Sequence, residues 1–390
     1  MNKLKIKEGL LLILCIFITY RIVLTFWAIA VLLRYPINVE DWSSPTFSLY
    51  LRTFTHPDIF IPQIQEWLIW PWYRWDAEWY LRIAIDGYQK GGSTTFAPMY
   101  PLLIKLLGEV FGRNFIFAAL VISNTSLLIS CLLLFEEASI FFDSNTATRS
   151  VIYFLAFPTA FFLSGAYSES LFIMFVLLSW KFTRKNQWQW AWITVILSTM
   201  TRFQGIGVLL PFLYLWWRSP KPRSYWGLAL PTALMVPIIW GGYLHYQLHL
   251  EFPWEALGDR WSQQASWPWI GILGNVQAIL GVRAYETSLI TVVLDLGITL
   301  TGIGLLIVMS KRLPVEYTLL SLALILPPLM KISSNGLLVS MSRYVISIWP
   351  IFFILAELGR KKLTHRLYIY SALSLQILIS ALFFLWYWIA

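Results

Sequence analysis

Long apolar runs, broken by short polar stretches, dominate the chain. The runs are Gly9 to Leu33, Phe115 to Phe135, Val151 to Leu163, Leu171 to Phe182, Trp188 to Met200, Gly205 to Trp217, Trp226 to Tyr246, Ser288 to Met309, Tyr317 to Met330, Tyr344 to Leu358 and Leu367 to Ile389. Several reach the roughly 20 residues that carry a helix across a bilayer. A backbone inside lipid must satisfy its own polar groups, so the spanning segments are expected to be helices. The pattern predicts an all-α integral membrane protein with about eleven transmembrane helices. A long first outer loop, about 34–112, is expected to contain interfacial helices, and a second outer loop covers about 247–286. Pro98 to Val110 is apolar but short, and reads as a helix lying at the interface.

Charge orients this trace. The basic stretches Arg184-Lys185, Arg218 to Arg223, Lys311-Arg312 and Arg360-Lys361-Lys362 fall between alternate runs, as cytoplasmic loops do. The expected orientation has the N-terminus inside. Making Pro98 to Val110 a true span would turn Arg218 to Arg223 and Arg360 to Arg366 outward, against that bias. The first run is too long for the apolar core of a signal peptide and lacks a small-residue cleavage site, so it is expected to be a retained helix.

Composition narrows the class. Of 390 residues, 58% are hydrophobic and 13% charged, whereas soluble domains carry about 25% charged residues. The net charge of +9 is carried by short loops facing anionic lipid, with no nucleic-acid motif. Cys15 and Cys131 lie inside apolar runs, which argues against a disulfide framework. His56, His245 and His249 lie in or near outer loops, and two histidines four apart in an aromatic belt are a weak metal signal. No cofactor and no metal are expected. Asn124-Thr125-Ser126 matches a glycosylation sequon but lies inside a span. The whole chain is expected to be one membrane domain, 1–390.

Candidate chemistry gathers on one face. Asp76, Glu78, Arg82 and Asp86 lie in the first outer loop, Tyr167, Ser168 and Glu169 in the next outer turn, Thr201 and Arg202 in another, and Arg343 beyond a fourth. Ionisable residues at membrane depth are functional candidates. Asp76 is suited to capping a helix Ala77 to Asp86 that ends at Gly87. On that helix Glu78, Arg82 and Asp86 form a ladder four residues apart, while Asp76 lies on another face with Tyr80. One carboxylate can cap and also face a substrate. Arg202 and Arg343 are suited either to snorkelling or to bidentate phosphate contact, and Glu169 either to the first turn of a helix or to a site. The many tryptophans, among them Trp67, Trp70, Trp72, Trp75 and Trp79, read mainly as an interface belt.

The stretch Trp75-Asp76-Ala77, then Ile83-Ala84, Gly87-Tyr88 and Phe96-Ala97-Pro98-Met99-Tyr100-Pro101, resembles the first-loop motif of PIG-V-like mannosyltransferases, a family of GT-C glycosyltransferases. Phe157-Pro158, Tyr167-Ser168-Glu169-Ser170, Thr201-Arg202 with Gly205, and Ser342-Arg343-Tyr344 with Pro350 follow in the family's order. The resemblance implies a multi-pass enzyme that moves mannose from a dolichyl- or undecaprenyl-phosphate donor to a lipid or glycan hydroxyl. It implies inversion and a site on the non-cytoplasmic face. Asp76 matches the general base, Arg202 and Arg343 the donor-phosphate ligands, and Trp75, Tyr80, Tyr167, Glu169 and Tyr344 the pocket. The short chain resembles a prokaryotic relative, in a cytoplasmic membrane. Membrane lipids are the remaining expected partners, with no nucleic acid. The rival reading is a non-enzymatic transporter or flippase of a lipid-linked phosphate, although no internal repeat supports it. The enzymatic reading requires Asp76, Arg202 and Arg343 to share one cavity.

Overall fold

The computed structural model describes residues 3–35, 67–283 and 288–389; His56 and most of the first half of the expected first loop lie outside the described residues. The fold is helical. In chain order the helices are α1 (Lys3–Arg34), α2 (Asp76–Asp86), α3 (Met99–Val110), α4 (Phe115–Phe141), α5 (Ser144–Leu155), α6 (Glu169–Arg184), α7 (Trp188–Thr201) and α8 (Leu209–Arg218). There follow α9 (Trp226–Ala229), α10 (Met235–Gly242), α11 (Pro253–Asp259), α12 (Pro268–Ile279), α13 (Leu289–Met309), α14 (Val315–Leu329), α15 (Met341–Val345), α16 (Ile351–Leu358) and α17 (Lys362–Phe384).

Among the described residues five helical stretches are long and apolar enough to cross a membrane: Glu8–Arg34, Phe115–Phe141, Trp226–Gln247, Leu289–Met309 and Lys362–Phe384. The other expected spans are shorter or interrupted. Tyr344 to Leu358 divides into α15 and α16, because Pro350 caps a new helix start rather than continuing the old one. Gly205 to Trp217 begins as a 3₁₀ turn, Phe203–Val208, before α8. Trp226–Gln247 is itself irregular, with a 3₁₀ turn over Leu230–Leu234 and a π turn over Tyr243–Gln247. The short apolar stretch expected at the interface is the 12-residue α3, too short to span.

Local sequence starts the helices. Asn114 Oδ1 accepts from Phe117 N at 3.1 Å to cap α4, Asp143 Oδ1 from Thr146 N at 3.1 Å to cap α5, and Ser288 Oγ from Thr291 N at 3.2 Å to cap α13. Contacts run through α4, α6 and α7, and one buried apolar cluster extends from α1 to α17.

The loops at one end of the bundle are tied together. Strand β1 (Gln263–Ala265) pairs antiparallel with β2 (Lys331–Ser333), Gln263 opposite Ser333 and Ala265 opposite Lys331. Gly91 and Gly92, both at φ +104°, turn their N–H groups onto Glu251 Oε1 at 3.1 Å each. A side chain at Gly92 would also meet Trp261 Nε1 at 2.9 Å. Burial pushes the Glu251 carboxyl up, but the N–H groups at its own position, Gly92 and Gly91, with Arg260, hold it below its ordinary value.

Candidate active site

Asp76 opens α2. The expected capping role is not the one observed: Trp75 is the N-cap residue, no side-chain cap bond is made there, and Asp76 is the first helical residue. Trp75 has φ +53° and ψ −113°, a disfavoured region for a bulky side chain. Its ring is held edge-on by Trp386 at 5.7 Å and Trp388 at 5.1 Å. The turn at Trp75 aims the Asp76 carboxylate at Arg343, whose Nη1 donates to Oδ2 at 2.7 Å. Glu78 and Arg82 form the expected ion pair along α2.

Arg343 sits on the five-residue α15, after Ser340 at φ +55°. That short helix is held from two sides. Asp295, buried on α13, accepts the Ser342 N–H at 2.8 Å, and Thr159 Oγ1 donates to the Ser342 carbonyl at 2.7 Å. Arg343 is saturated by carboxylates: besides Asp76, Glu169 Oε1 accepts from its Nε at 3.0 Å and its Nη2 at 2.5 Å. Its guanidinium also lies over Phe162 and Tyr167, 5.0 and 4.8 Å from the ring centroids.

Glu169, the first residue of α6, is only 2% exposed and also pairs with Arg202 Nη1 at 2.8 Å. The result is a buried relay, Asp76 to Arg343 to Glu169 to Arg202. Each charge depends on the next, since an unpaired ion there would cost several kcal/mol (about 3–5). Arg202 lies 5.1 Å over the Tyr344 ring, and Lys331 donates to the Tyr344 hydroxyl at 3.0 Å.

A cavity of about 410 Å³ opens beside this relay, within the range of small-ligand sites. Asp76, Arg202 and Arg343 all border it, with Tyr80 and Tyr344. Trp75, Tyr167 and Glu169 do not. Trp75 packs behind the wall, Tyr167 lies under Arg343 with its hydroxyl on the Arg74 carbonyl at 2.8 Å, and Glu169 is the hidden counter-ion.

The cavity also holds residues that the sequence reading did not single out: Lys331, Gln204, Gln263, Trp261 and Trp388. Lys331 carried a usable signal. It is the one charged residue between Glu316 and Arg343, at the end of its run opposite Lys311-Arg312, the same break in charge bias that marked Arg202 and Arg343. Asp295 had a signal too, as the lone charge in Leu289–Met309. No carboxylate of the described residues forms a salt bridge with Lys331. Three cations (Arg202, Lys331, Arg343) thus meet two carboxylates (Asp76, Glu169), a surplus of one positive charge.

His245 and His249 belong to no group of three potential metal ligands among the described residues. His245 Nδ1 meets the Leu250 carbonyl at 3.1 Å and its ring stacks on Phe252.

A family model described as mannosyltransferase (PIG-V) matches residues 8–212. GPI mannosyltransferase 2 of Schizosaccharomyces pombe is 27% identical over 186 residues, which cover 46% of this chain and 39% of that protein. The matched stretch is thus well under half of the relative's length. No solved structure matches the chain.

Proposed function

Since the chain belongs to the PIG-V mannosyltransferase family, we propose that it transfers mannose from a polyprenyl-phosphate donor to a lipid or glycan hydroxyl, with inversion, in the cavity that Asp76 borders. The observation that carries this reading is the shared cavity: a carboxylate from α2 and cations from three other segments face one volume.

The acceptor hydroxyl attacks the anomeric carbon from the side opposite the phosphate. Asp76 takes the hydroxyl proton as the new C–O bond forms. The old bond from the anomeric carbon to the phosphate oxygen breaks with its electron pair, leaving polyprenyl phosphate. Arg343 grips Oδ2 of Asp76 and fixes the carboxylate in place. Because Arg343 is shared by both carboxylates, whereas Arg202 pairs with Glu169 alone and Lys331 with no carboxylate of the described residues, the growing phosphate charge falls to Lys331 and Arg202. Arg343 is therefore assigned to positioning Asp76 and Glu169, and Lys331 replaces it as a phosphate ligand. Trp261 and Trp388 supply faces on which a sugar ring can stack.

Helix length supports a lipid-borne donor. The 16 residues of α6 and 14 of α7 cover about 24 and 21 Å, short of a hydrocarbon core about 30 Å thick. With Arg184 and Trp188 at one boundary, Glu169 and Thr201 lie beneath the other, within reach of a phosphate anchored by its own hydrocarbon chain. The active site faces the non-cytoplasmic side in this reading.

The test is Asp76→Asn in protein reconstituted into liposomes with radiolabelled polyprenyl-phosphate mannose and a membrane lipid extract as acceptor. Loss of transfer with retained folding is expected. Transfer at the wild-type rate removes Asp76 from the chemistry, and donor that crosses the bilayer unconsumed selects the flippase reading.

A further inference from the structure

Arg21 stands in the middle of the span Glu8–Arg34 and is its one internal charge. It is 13 residues from Arg34, about 20 Å along the helix. A guanidinium at such depth needs a partner. Its Nη1 is buried and has no hydrogen bond, and no carboxylate of the described residues pairs with it. It lies 4.4 Å over the Trp72 ring, a cation–π contact that leaves Nη1 without an acceptor among the described residues.

The surroundings share this shortage of acceptors. Tyr20 faces Ser164 and Gln376, yet the hydroxyls of Tyr20 and Ser164 are buried without partners, as is Trp72 Nε1. Trp72 and Ser164 lie close together, because the Trp72 carbonyl accepts the Ala166 N–H at 3.2 Å. Arg74, nearby, shows what a satisfied arginine looks like in this fold. Its Nε and Nη2 reach the Phe384 carbonyl at 3.1 Å each, and its Nη1 the Trp70 and Tyr73 carbonyls at 2.6 and 2.8 Å. Among the described residues Arg21 has nothing comparable.

Unpartnered Arg21 Nη1, Trp72 Nε1 and the Tyr20 and Ser164 hydroxyls, with no carboxylate of the described residues paired to Arg21, fit an anion with several acceptor oxygens. Neighbouring Ile18, Ile22, Val23 and Phe26 are exposed on the apolar surface of α1, so the anion that can reach Arg21 must carry its own hydrocarbon. We propose that Arg21, with Tyr20, Ser164 and Trp72, is a second phosphate station within the membrane, taking the phosphate of an anionic lipid. It is separate from the cavity beside Asp76, whose lining contains none of these four residues.

The test uses the full chain in detergent micelles and a diazirine-bearing polyprenyl phosphate, with crosslinks mapped by mass spectrometry. Labelling is expected in the peptides containing Arg21 and Trp72, and Arg21→Gln should reduce it at least tenfold while Asp76→Asn leaves it unchanged. Unlabelled polyprenyl phosphate should compete and uncharged polyprenol should not. Stronger competition by phosphatidylglycerol identifies a phospholipid as the occupant, and stronger competition by polyprenyl phosphate identifies the carrier. Equal competition by polyprenol, or full labelling of Arg21→Gln, overturns the proposal. Ser164→Ala, which keeps the guanidinium and its stacking, guards against misfolding of Arg21→Gln: it should weaken labelling severalfold with an unchanged melting temperature, and unchanged labelling removes Ser164 from the site.

Discussion

Glu169 and Arg184 stand at opposite ends of α6, and each belongs to an ionic network, but the two networks are built differently. At the Arg184 end, Glu137 Oε1 accepts from Trp180 Nε1 at 2.8 Å, from Arg184 Nη1 at 3.1 Å and from the Tyr317 hydroxyl. One carboxylate is matched by one guanidinium, neutral donors fill the remaining directions, and none of these residues lines the cavity. At the Glu169 end two carboxylates meet three cations beside an open volume. Burial and pairing are common to both ends. A candidate site differs by what is left over: a carboxylate edge and a cation without a carboxylate partner among the described residues, both bordering a cavity.

The sharpest way to break that comparison is Asp76→Asn. Transfer should fall by about a thousandfold, the middle of the range for a lost general base. The thermal midpoint should move little, because Arg343 keeps Glu169. Next comes Lys331→Gln, expected to lower kcat/KM about a hundredfold, as for one lost charge-stabilising donor. An unchanged rate would return the phosphate to Arg343. At the other end, Glu137→Gln should cost stability without touching transfer. Arg184 is partly exposed, with 34% side-chain accessibility, so about 2 kcal/mol is expected by denaturant titration rather than the full cost of a buried unpaired ion. If that variant lost activity at full stability, the contrast between the ends would be wrong.

Asp295 gives a smaller effect that separates positioning from chemistry. Asp295→Ala removes the acceptor for the Ser342 N–H and should cost about 1 kcal/mol, as a lost cap does, with transfer down about tenfold. Asp295→Asn keeps an acceptor oxygen and should restore most of the rate. The smallest effect lies in the loop clasp at Glu251. Its folded value is depressed, so its contribution to stability is present above the unfolded carboxyl value and fades as pH falls through the lower folded one. Hydrogen exchange at Gly91 and Gly92 should quicken in that acid range and show no such pH step in Glu251→Gln.

Much of this molecule was legible in one dimension. The apolar runs identify a helical membrane protein, and α2 ends at Gly87 as its residues predict, since both are local consequences of composition and dihedral preference. The breaks in the shorter spans were harder to read, because prolines and 3₁₀ turns inside an apolar run do not change its hydropathy. Asp76, Arg202 and Arg343 stood out by type and position, while Lys331, Asp295 and Arg21 went unnoticed although each was a lone charge in or beside an apolar run.

The sequence by itself determined where this chain lives and which charges it carries there, for hydrophobicity and helix starts act over a few residues. Only the tertiary structure decided which charges neutralise one another and which are left to meet a ligand. Asp76 and Arg343 are 267 residues apart yet share a 2.7 Å bond. Arg343 and Lys331, 12 residues apart, have opposite fates, one enclosed by carboxylates and the other without such a salt bridge among the described residues. Charge compensation depends on distances of a few ångströms and on exclusion of water, and neither is a property of order along a chain.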